Sequence, residues 1–242
     1  MKLIVCYHID ICEEPNWLPS DAQGFYIKDC KDVRSLDDMS GLQEVTDLRL
    51  CAVDGCDGLE FVVSSHYLKP LQNLESLYLC SLKNLNVVVG AVEAIAKSAL
   101  LPAGTFSSLQ KIEVDVCRKI KDLLPLRLLR YLQNLQTINV IASDQMEEII
   151  WSDYEGGEEA PEKLTLPKLK TVILHELFAL KSIYSGSTTV LICDSLKRIE
   201  IQLSEEIESV FWTGFNPLPT LEHLQLGRLD NLKSMFDEEV LA

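Results

Sequence analysis

Apolar residues recur along this chain with two alternating periods. Over a short stretch apolar and polar positions alternate, as in Leu77, Tyr78 and Leu79, and apolar residues then return at every third position, as in Leu82 and Leu85. Together these periods form the pattern L-x-x-L-x-x-L-x-L-x-x-[C/L/S]-x-x-L-x-x-L. Six copies fill all seven named positions and two weaker copies precede them, so the chain carries about eight repeats.

The first apolar residue of each alternating pair marks a repeat. The marks are Phe25, Leu48, Leu77, Ile112, Ile138, Val172, Ile199 and Leu224. Consecutive marks lie 23, 29, 35, 26, 34, 27 and 25 residues apart. Most of these spacings fall in or near the range of roughly 20 to 29 residues that is typical of leucine-rich repeats, and the long ones carry insertions.

The alternating pair predicts the architecture. Residues two apart in a strand point to the same face, so both apolar residues of the pair face the core and the residue between them faces away. The period of three turns the chain back over the core, and stacked repeats align their strands in parallel. We therefore predict an α/β leucine-rich-repeat solenoid: a curved horseshoe with a parallel β-sheet on its concave face and an irregular or short helical outer face.

The repeats cover most of the chain and predict a single leucine-rich-repeat domain over residues 1–242. Residues 1–24 precede the first copy and are predicted to be an irregular N-terminal segment, while residues 25–240 hold the repeats. Two spacings exceed the usual repeat length, which places insertions at 86–105 and 151–165.

The inserted segments differ in character. Residues 90–101 place apolar side chains at helical spacing and end before Pro102, so we expect a short helix there, and residues 124–132 are expected to form a helical turn. Residues 152–163 hold five acidic side chains, two glycines and one proline without apolar periodicity. This composition predicts a mobile acidic loop.

Charge and hydropathy narrow the possible partners. The chain has 37 acidic and 22 basic residues, a formal net charge of −15, which repels phosphate backbones and anionic membrane surfaces. Its apolar runs are shorter than the roughly 18 residues that a membrane span needs, and residues 1–7 fall short of a signal-peptide core. We therefore predict a cytoplasmic protein without nucleic-acid binding or membrane insertion.

Residue types that carry chemistry are scattered along the chain. The eight cysteines show no C-x-x-C spacing, and Cys30, Cys56 and Cys117 occupy the post-strand position of the repeat, where packing under a turn explains them. The four histidines fall on different repeats, and no nucleophile motif of the G-x-S-x-G kind occurs. The sequence predicts no enzyme activity, no metal site and no cofactor.

Most repeats have an L-x-x-L or C-x-x-[ILM] step after the strand. Two open with LP-x-L, and one ends in MEEII. These repeats are "LQNLESLYLCSLKNL", "FSSLQKIEVDVCRKIKDLLP", "LQNLQTINVIASDQMEEII", "LPKLKTVILHELFALKSI" and "LPTLEHLQLGRLDNLKSMF". These segments resemble the leucine-rich-repeat region of plant intracellular immune receptors, the coiled-coil nucleotide-binding class of disease-resistance proteins. The resemblance covers nearly the whole chain from Phe25 onward. The G-x-x-x-x-G-K-[ST] phosphate loop of these receptors does not occur here, so the chain looks like an excised sensor region and no nucleotide binding is carried over.

The resemblance implies protein recognition in plant defence. In the family the repeats bind a pathogen effector or a guarded host protein, and they also hold the nucleotide-binding domain in its resting state. The candidate binding residues are those beside and between the core-facing residues of each predicted strand. They are Arg49, Tyr78, Lys111, Glu113, Asp115, Asn139, Ile141, Ile173, His175, Arg198, Glu200, Gln202, His223 and Gln225.

Two other functions stay open. The first is a leucine-rich-repeat substrate adaptor of a ubiquitin ligase, although residues 1–24 are too short and too polar for the three-helix F-box module that such an adaptor carries. The second is a receptor fragment without a partner of its own. Fold alone does not decide among these functions, because repeat scaffolds bind many unrelated proteins.

Overall fold

The computed structural model describes residues 3–7, 19–64, 71–90, 104, 106–152, 154, 161–184, 189–211 and 220–236. The strands found there are β1 Leu3–Tyr7, β2 Gly24–Lys28, β3 Leu50–Asp54, β4 Phe61–Ser64, β5 Ser76–Cys80, β6 Val87–Gly90, β7 Lys111–Asp115, β8 Asp122–Pro125, β9 Thr137–Ile141, β10 Glu148–Trp151, β11 Lys163–Thr165, β12 Thr171–His175, β13 Ser182–Tyr184, β14 Val190–Ile192, β15 Arg198–Gln202, β16 Ser209–Phe211, β17 His223–Gly227 and β18 Ser234–Phe236. A short α-helix, α1, spans Leu126–Leu129, and 3-10 helices span Leu36–Asp38 and Ser40–Glu44.

Nine strands form one parallel sheet, here called the inner sheet, in the order β1-β2-β3-β5-β7-β9-β12-β15-β17. Successive strands pair residue for residue over five residues, as β7 pairs with β9 and β9 with β12. In most of these strands the second and fourth residues are buried and the other three are half-buried, which is the alternation that the repeat pattern predicts. The predicted leucine-rich-repeat solenoid is confirmed.

A second layer of short strands lies across the core from the inner sheet. Its parallel groups are β4-β6, β8-β10-β13 and β16-β18. The helical turn predicted for residues 124–132 is confirmed by α1, but elsewhere the expected irregular outer face carries strands. Neighbouring apolar residues explain this difference, because pairs such as Ile149 and Ile150 are both buried and favour extended backbone.

The predicted N-terminal segment, insertion helix and acidic loop differ in how they compare with the structure. Strand β1 pairs in parallel with β2, so the prediction that residues 1–24 are irregular was wrong for Leu3–Tyr7, an apolar run with high strand propensity. The helix predicted for 90–101 lies outside the described residues apart from Gly90, which ends β6. Most of the acidic loop also lies outside them, and the end of its insertion forms β11, which pairs with β14.

The second repeat differs in register from the prediction, which took Leu48 and Leu50 as its alternating pair. In the structure the core-facing residues of β3 are Cys51 and Val53, which are 0% and 1% exposed. The prediction was wrong by three residues because a small apolar thiol fills the strand position that leucine fills elsewhere. Cys51 pairs in register with Phe25 on one side and with Leu77 on the other. The first repeats are therefore evenly spaced, and the second repeat contains no extra residues.

From β2 onward, every strand of the inner sheet ends in the same backbone turn. The residue after the strand has a left-handed backbone, with φ between 49° and 63°. These residues are Asp29, Gly55, Ser81, Val116, Ala142, Glu176, Leu203 and Arg228. All but the last donate their backbone N–H to the carbonyl of the last residue in the next strand, at 2.8 to 3.0 Å. The turn thus extends the hydrogen bonding between repeats by one residue.

Val116 is the β-branched member of this set, and its φ of 54° is costly for such a side chain. We expect Val116→Gly to raise the free energy of unfolding by about 1 kcal/mol, measured by chemical denaturation. Val87→Gly is the matched control, because Val87 is also half-buried but lies in the extended strand β6. The control should lower stability, and a loss of stability in both variants would show that the turn at Val116 is not strained.

Candidate functional site

The inner sheet turns one side toward the core and the other, here called the open face, toward solvent. Its outward residues form three rows, because the first, third and fifth residues of each strand lie beside their counterparts on the next strand. From β2 to β17 the first row is Gly24, Leu50, Ser76, Lys111, Thr137, Thr171, Arg198 and His223; the middle row Tyr26, Ala52, Tyr78, Glu113, Asn139, Ile173, Glu200 and Gln225; and the third row Lys28, Asp54, Cys80, Asp115, Ile141, His175, Gln202 and Gly227.

Thirteen of the fourteen candidate binding residues lie in these rows, so the structure brings them together on one surface. Arg49 is the exception. It precedes β3 and forms ion pairs with Asp47 at 3.2 Å and Glu75 at 3.4 Å, outside the three rows. The error follows from the shifted register of the second repeat. That the open face binds protein stays a prediction.

The register error also hid residues that belong to the open face. At the N-terminal end of the open face, Asp54 accepts a hydrogen bond from the Tyr26 hydroxyl at 3.0 Å. It also forms an ion pair with Lys28 at 2.9 Å. Burial acts to raise the pKa of Asp54, but the hydrogen bonds from Lys28 and Tyr26 outweigh it and leave this pKa below its ordinary value. Allowing cysteine at the strand position would have found Asp54 from sequence.

A second cluster lies at β5, β7 and β9. The Lys111 ammonium lies 5.3 Å from the centre of the Tyr78 ring and 2.8 Å from the Glu113 carboxylate. The hydrogen bond to Glu113 raises the pKa of Lys111. Glu113 in turn accepts a hydrogen bond from the Asn139 amide at 3.4 Å. The charges of Lys111 and Glu113 thus neutralise each other within the chain.

The third cluster surrounds Glu200, which is only 7% exposed. Arg198 and His223 both contact its Oε1 atom, His223 at 3.1 Å. His175 Nε2 lies 4.0 Å from the other carboxylate oxygen, too far for a hydrogen bond. A buried carboxylate needs partners, so the contacts of Glu200 with Arg198 and His223 stabilise the fold at this end of the open face.

Between these clusters, the open face carries apolar side chains and polar groups that lack hydrogen-bond or ion-pair partners among the described residues. Ile141 and Ile173 are half-buried apolar side chains on adjacent strands. Asn139 Oδ1 and His175 Nε2 are shielded from solvent without a hydrogen-bond partner among the described residues. Beside Ile141 lies Asp115, which forms no ion pair with the described residues and has the Cys80 thiol 3.9 Å from its carboxylate.

The cysteines serve packing, as predicted for the post-strand positions. Cys30, Cys56 and Cys117 are at most 2% exposed, and the thiol of each donates to the carbonyl two residues earlier. Burial raises the pKa to about 12 for Cys51, Cys56, Cys117 and Cys193. Such thiols stay protonated near neutral pH and are poor nucleophiles. Within the described ranges, His, Cys, Asp and Glu side chains form no group of three that could hold a metal ion.

Comparison with known proteins agrees with this picture of a repeat scaffold. The model of the family described as "Plant disease resistance protein RPS2-like, leucine-rich repeats" matches residues 81–225. This match covers more than half of the chain, so the chain belongs to that family, and the resemblance found in the sequence is confirmed. Among solved structures, a leucine-rich repeat protein from Bacteroides ovatus is similar over 93% of this chain and 83% of its own, at 14% identity and a TM-score of 0.19, which is too low to show a shared fold.

Family and fold together define a protein-interaction module in plant defence. Leucine-rich repeats are typically non-enzymatic scaffolds that bind other proteins. None of the helices in the described ranges has the length and apolar composition of a membrane span. The open face, which runs across eight strands in register, is a continuous surface that the repeats build.

Proposed function

We propose that this chain is the recognition region of a plant immune receptor and acts in the cytoplasm. Its open face binds a pathogen effector or a host protein that the receptor guards. The same region contributes to autoinhibition by contacting the receptor's nucleotide-binding domain. Family membership supports the setting in plant defence, and the geometry of the open face supports the choice of surface.

The observation that carries this proposal is the continuity of the open face. Eight strands in register present three rows of side chains that the core does not use, with aromatic, charged and aliphatic groups side by side. Aromatic residues and arginine are enriched among residues that dominate binding energy, and Tyr78 and Arg198 supply both kinds here. An open surface of this breadth suits a folded protein partner better than a small molecule, which needs an enclosed cavity.

The test is a pull-down with extract of infected plant tissue, comparing the wild-type chain with a variant altered on the open face. The variant carries Tyr78→Ala, Lys111→Glu and Gln225→Lys, and it leaves the buried Glu200 untouched so that the fold is kept. We expect a partner retained by the wild type to be lost by the variant. Circular dichroism and the melting temperature check that both are folded.

A matched control changes charge by the same amount away from the open face. Lys31→Glu with Gln145→Lys alters two exposed residues in the turns after the strands. The control should retain the partner. Equal retention by all three proteins would refute binding through the open face, and retention by none of them would point to the fragment without a partner. The same variants tested on a receptor nucleotide-binding domain supplied in trans examine autoinhibition.

A further inference from the structure

The open face has one region in which a charged group and polar atoms lack partners among the neighbouring described side chains. It lies in the middle and third rows where β7, β9 and β12 run side by side, and we call it the Ile141 patch. Its members are Asp115, Asn139, Ile141, Ile173 and His175. The clusters around Asp54 and Glu200 flank it and have charged partners within the chain.

Charge is the first property that sets this patch apart. Asp54, Glu113 and Glu200 each have a lysine or arginine partner on the open face. Asp115 forms no ion pair among the described residues, although it lies in the same row as Asp54. The Cys80 thiol, 3.9 Å away, is a weak donor and supplies no charge. The carboxylate of Asp115 is therefore the charge on this patch that a partner can neutralise.

Apolar surface is the second property. Ile141 lies directly beside Asp115 on the next strand, and Ile173 lies beside Asn139. Both isoleucines are half-buried, so part of each side chain faces solvent. Adjacent strands lie about 5 Å apart, which places the carboxylate and the aliphatic surface within the span of one long side chain.

Unused hydrogen-bonding capacity is the third property. In the described part of the chain, Asn139 Oδ1 is an acceptor without a donor, and His175 Nε2, 4.0 Å from the Glu200 carboxylate, is without a hydrogen bond. Unpaired polar atoms in a shielded place cost free energy, and a partner's donor recovers it only when the side chain turns to meet it. The patch thus lacks a group that combines positive charge, several N–H donors and an aliphatic stem.

We infer that the Ile141 patch binds an arginine side chain of the protein partner. The guanidinium donates to the Asp115 carboxylate, and its methylene stem packs on Ile141 and Ile173. Arginine fits better than lysine because its planar, weakly hydrated head offers five donors in a fixed arrangement. The chain's net charge of −15 also favours association with a basic partner surface. This inference rests on the proposed function and names the chemistry of its partner.

Methyl-NMR of the full chain tests it with defined peptides. The isoleucine δ1-methyl signals of Ile141 and Ile173, assigned with single Ile→Leu variants, are followed during titration with acetyl-Gly-Arg-Gly-amide. The same peptide with citrulline, a neutral isostere of arginine, is the matched probe. We expect the arginine peptide to shift both signals and to bind about fivefold more tightly than the citrulline peptide, the effect of one partly exposed ion pair.

Variants of two acidic residues in one row locate the charge. Asp115→Asn should weaken binding of the arginine peptide about fivefold without changing that of the citrulline peptide. Asp54→Asn is the control, because its carboxylate is already held by Lys28, and it should leave both affinities unchanged. Equal affinity for arginine and citrulline peptides would overturn the inference, and so would equal affinity for a lysine peptide or shifts confined to other isoleucines.

These outcomes are separable from those of the proposed function. If the pull-down partner is lost by the open-face variant but retained by Asp115→Asn, the proposed function holds and arginine recognition at this patch is refuted. If the arginine peptide binds as expected while the extract yields no partner, the patch is confirmed and the immune role fails. The peptide experiment does not depend on knowing the partner.

Discussion

Replacing Gly58 by alanine should cost about 3 kcal/mol of the free energy of unfolding, the upper part of the usual range for forcing extra atoms into a packed place. A Cβ at this position would lie 2.0 Å from the backbone carbonyl oxygen of Lys31 and 3.0 Å from that of Val33. Both are backbone atoms of the preceding repeat, and Val33 is buried, so no flexible side chain can move aside. Stacking of the first repeats must therefore loosen.

Thermal unfolding followed by circular dichroism checks this, with an expected drop in melting temperature of about 6 to 12 °C for a chain of this size. Gly227→Ala is the matched control, since its Cβ would meet only the Gln202 side chain, at an ordinary 3.7 Å. The control should change stability by less than about 0.5 kcal/mol. Equal melting temperatures for the two variants would mean that the turns at Gly58 are not in close contact.

The need for glycine at position 58 could not be predicted from the sequence. In later repeats the equivalent position before the buried turn residue holds side chains such as Asn84 and Lys119, so the repeat pattern alone gives no reason for glycine. The reason is a close approach between two turns, which depends on how tightly one repeat stacks on the next. Patterns within one repeat carry no information about that distance.

Periodicity was sufficient for the inner sheet, because each strand needs two apolar residues on one side and the repeats supply them at a regular interval. The pattern failed at β3, where Cys51 stands in for leucine and Leu48, which is also buried, suggested a shifted register. A slip of this kind changes which side chains face outward. Arg49 was therefore taken for an open-face residue, and Asp54 was missed.

For the candidate site, the sequence pattern predicted which residues face outward but not which side chains contact each other. Alternation along the strands was enough to place Tyr78, Lys111 and Gln225 on a common face. It could not show that Glu200 is buried between arginine and histidine, or that Asp115 is without an ion pair among the described residues, since these depend on side chains from neighbouring repeats. Contacts across repeats require the register of both strands and the conformations of both side chains.

Truncating a core residue of β9 should have the largest effect of the changes considered. Ile138 is 1% exposed and borders an internal void of about 10 Å³ that it shares with Ile150, Val172 and Cys193. The void lies where an insertion lengthens the spacing between two repeats. Existing empty space shows that the neighbours have not closed around this site, so they are poorly placed to fill a larger cavity.

We therefore expect Ile138→Ala to lower the free energy of unfolding by about 4 kcal/mol, near the upper end for such truncations. Urea denaturation measures it, and Ile141→Ala is the matched control because it makes the same change on the same strand but on the open face. There the side chain is half exposed and leaves no closed cavity, so the loss should stay below about 1.5 kcal/mol. Similar losses at both positions would contradict the assignment of the two faces of β9. A core strand residue differs from one available to a partner in how deeply its side chain is buried.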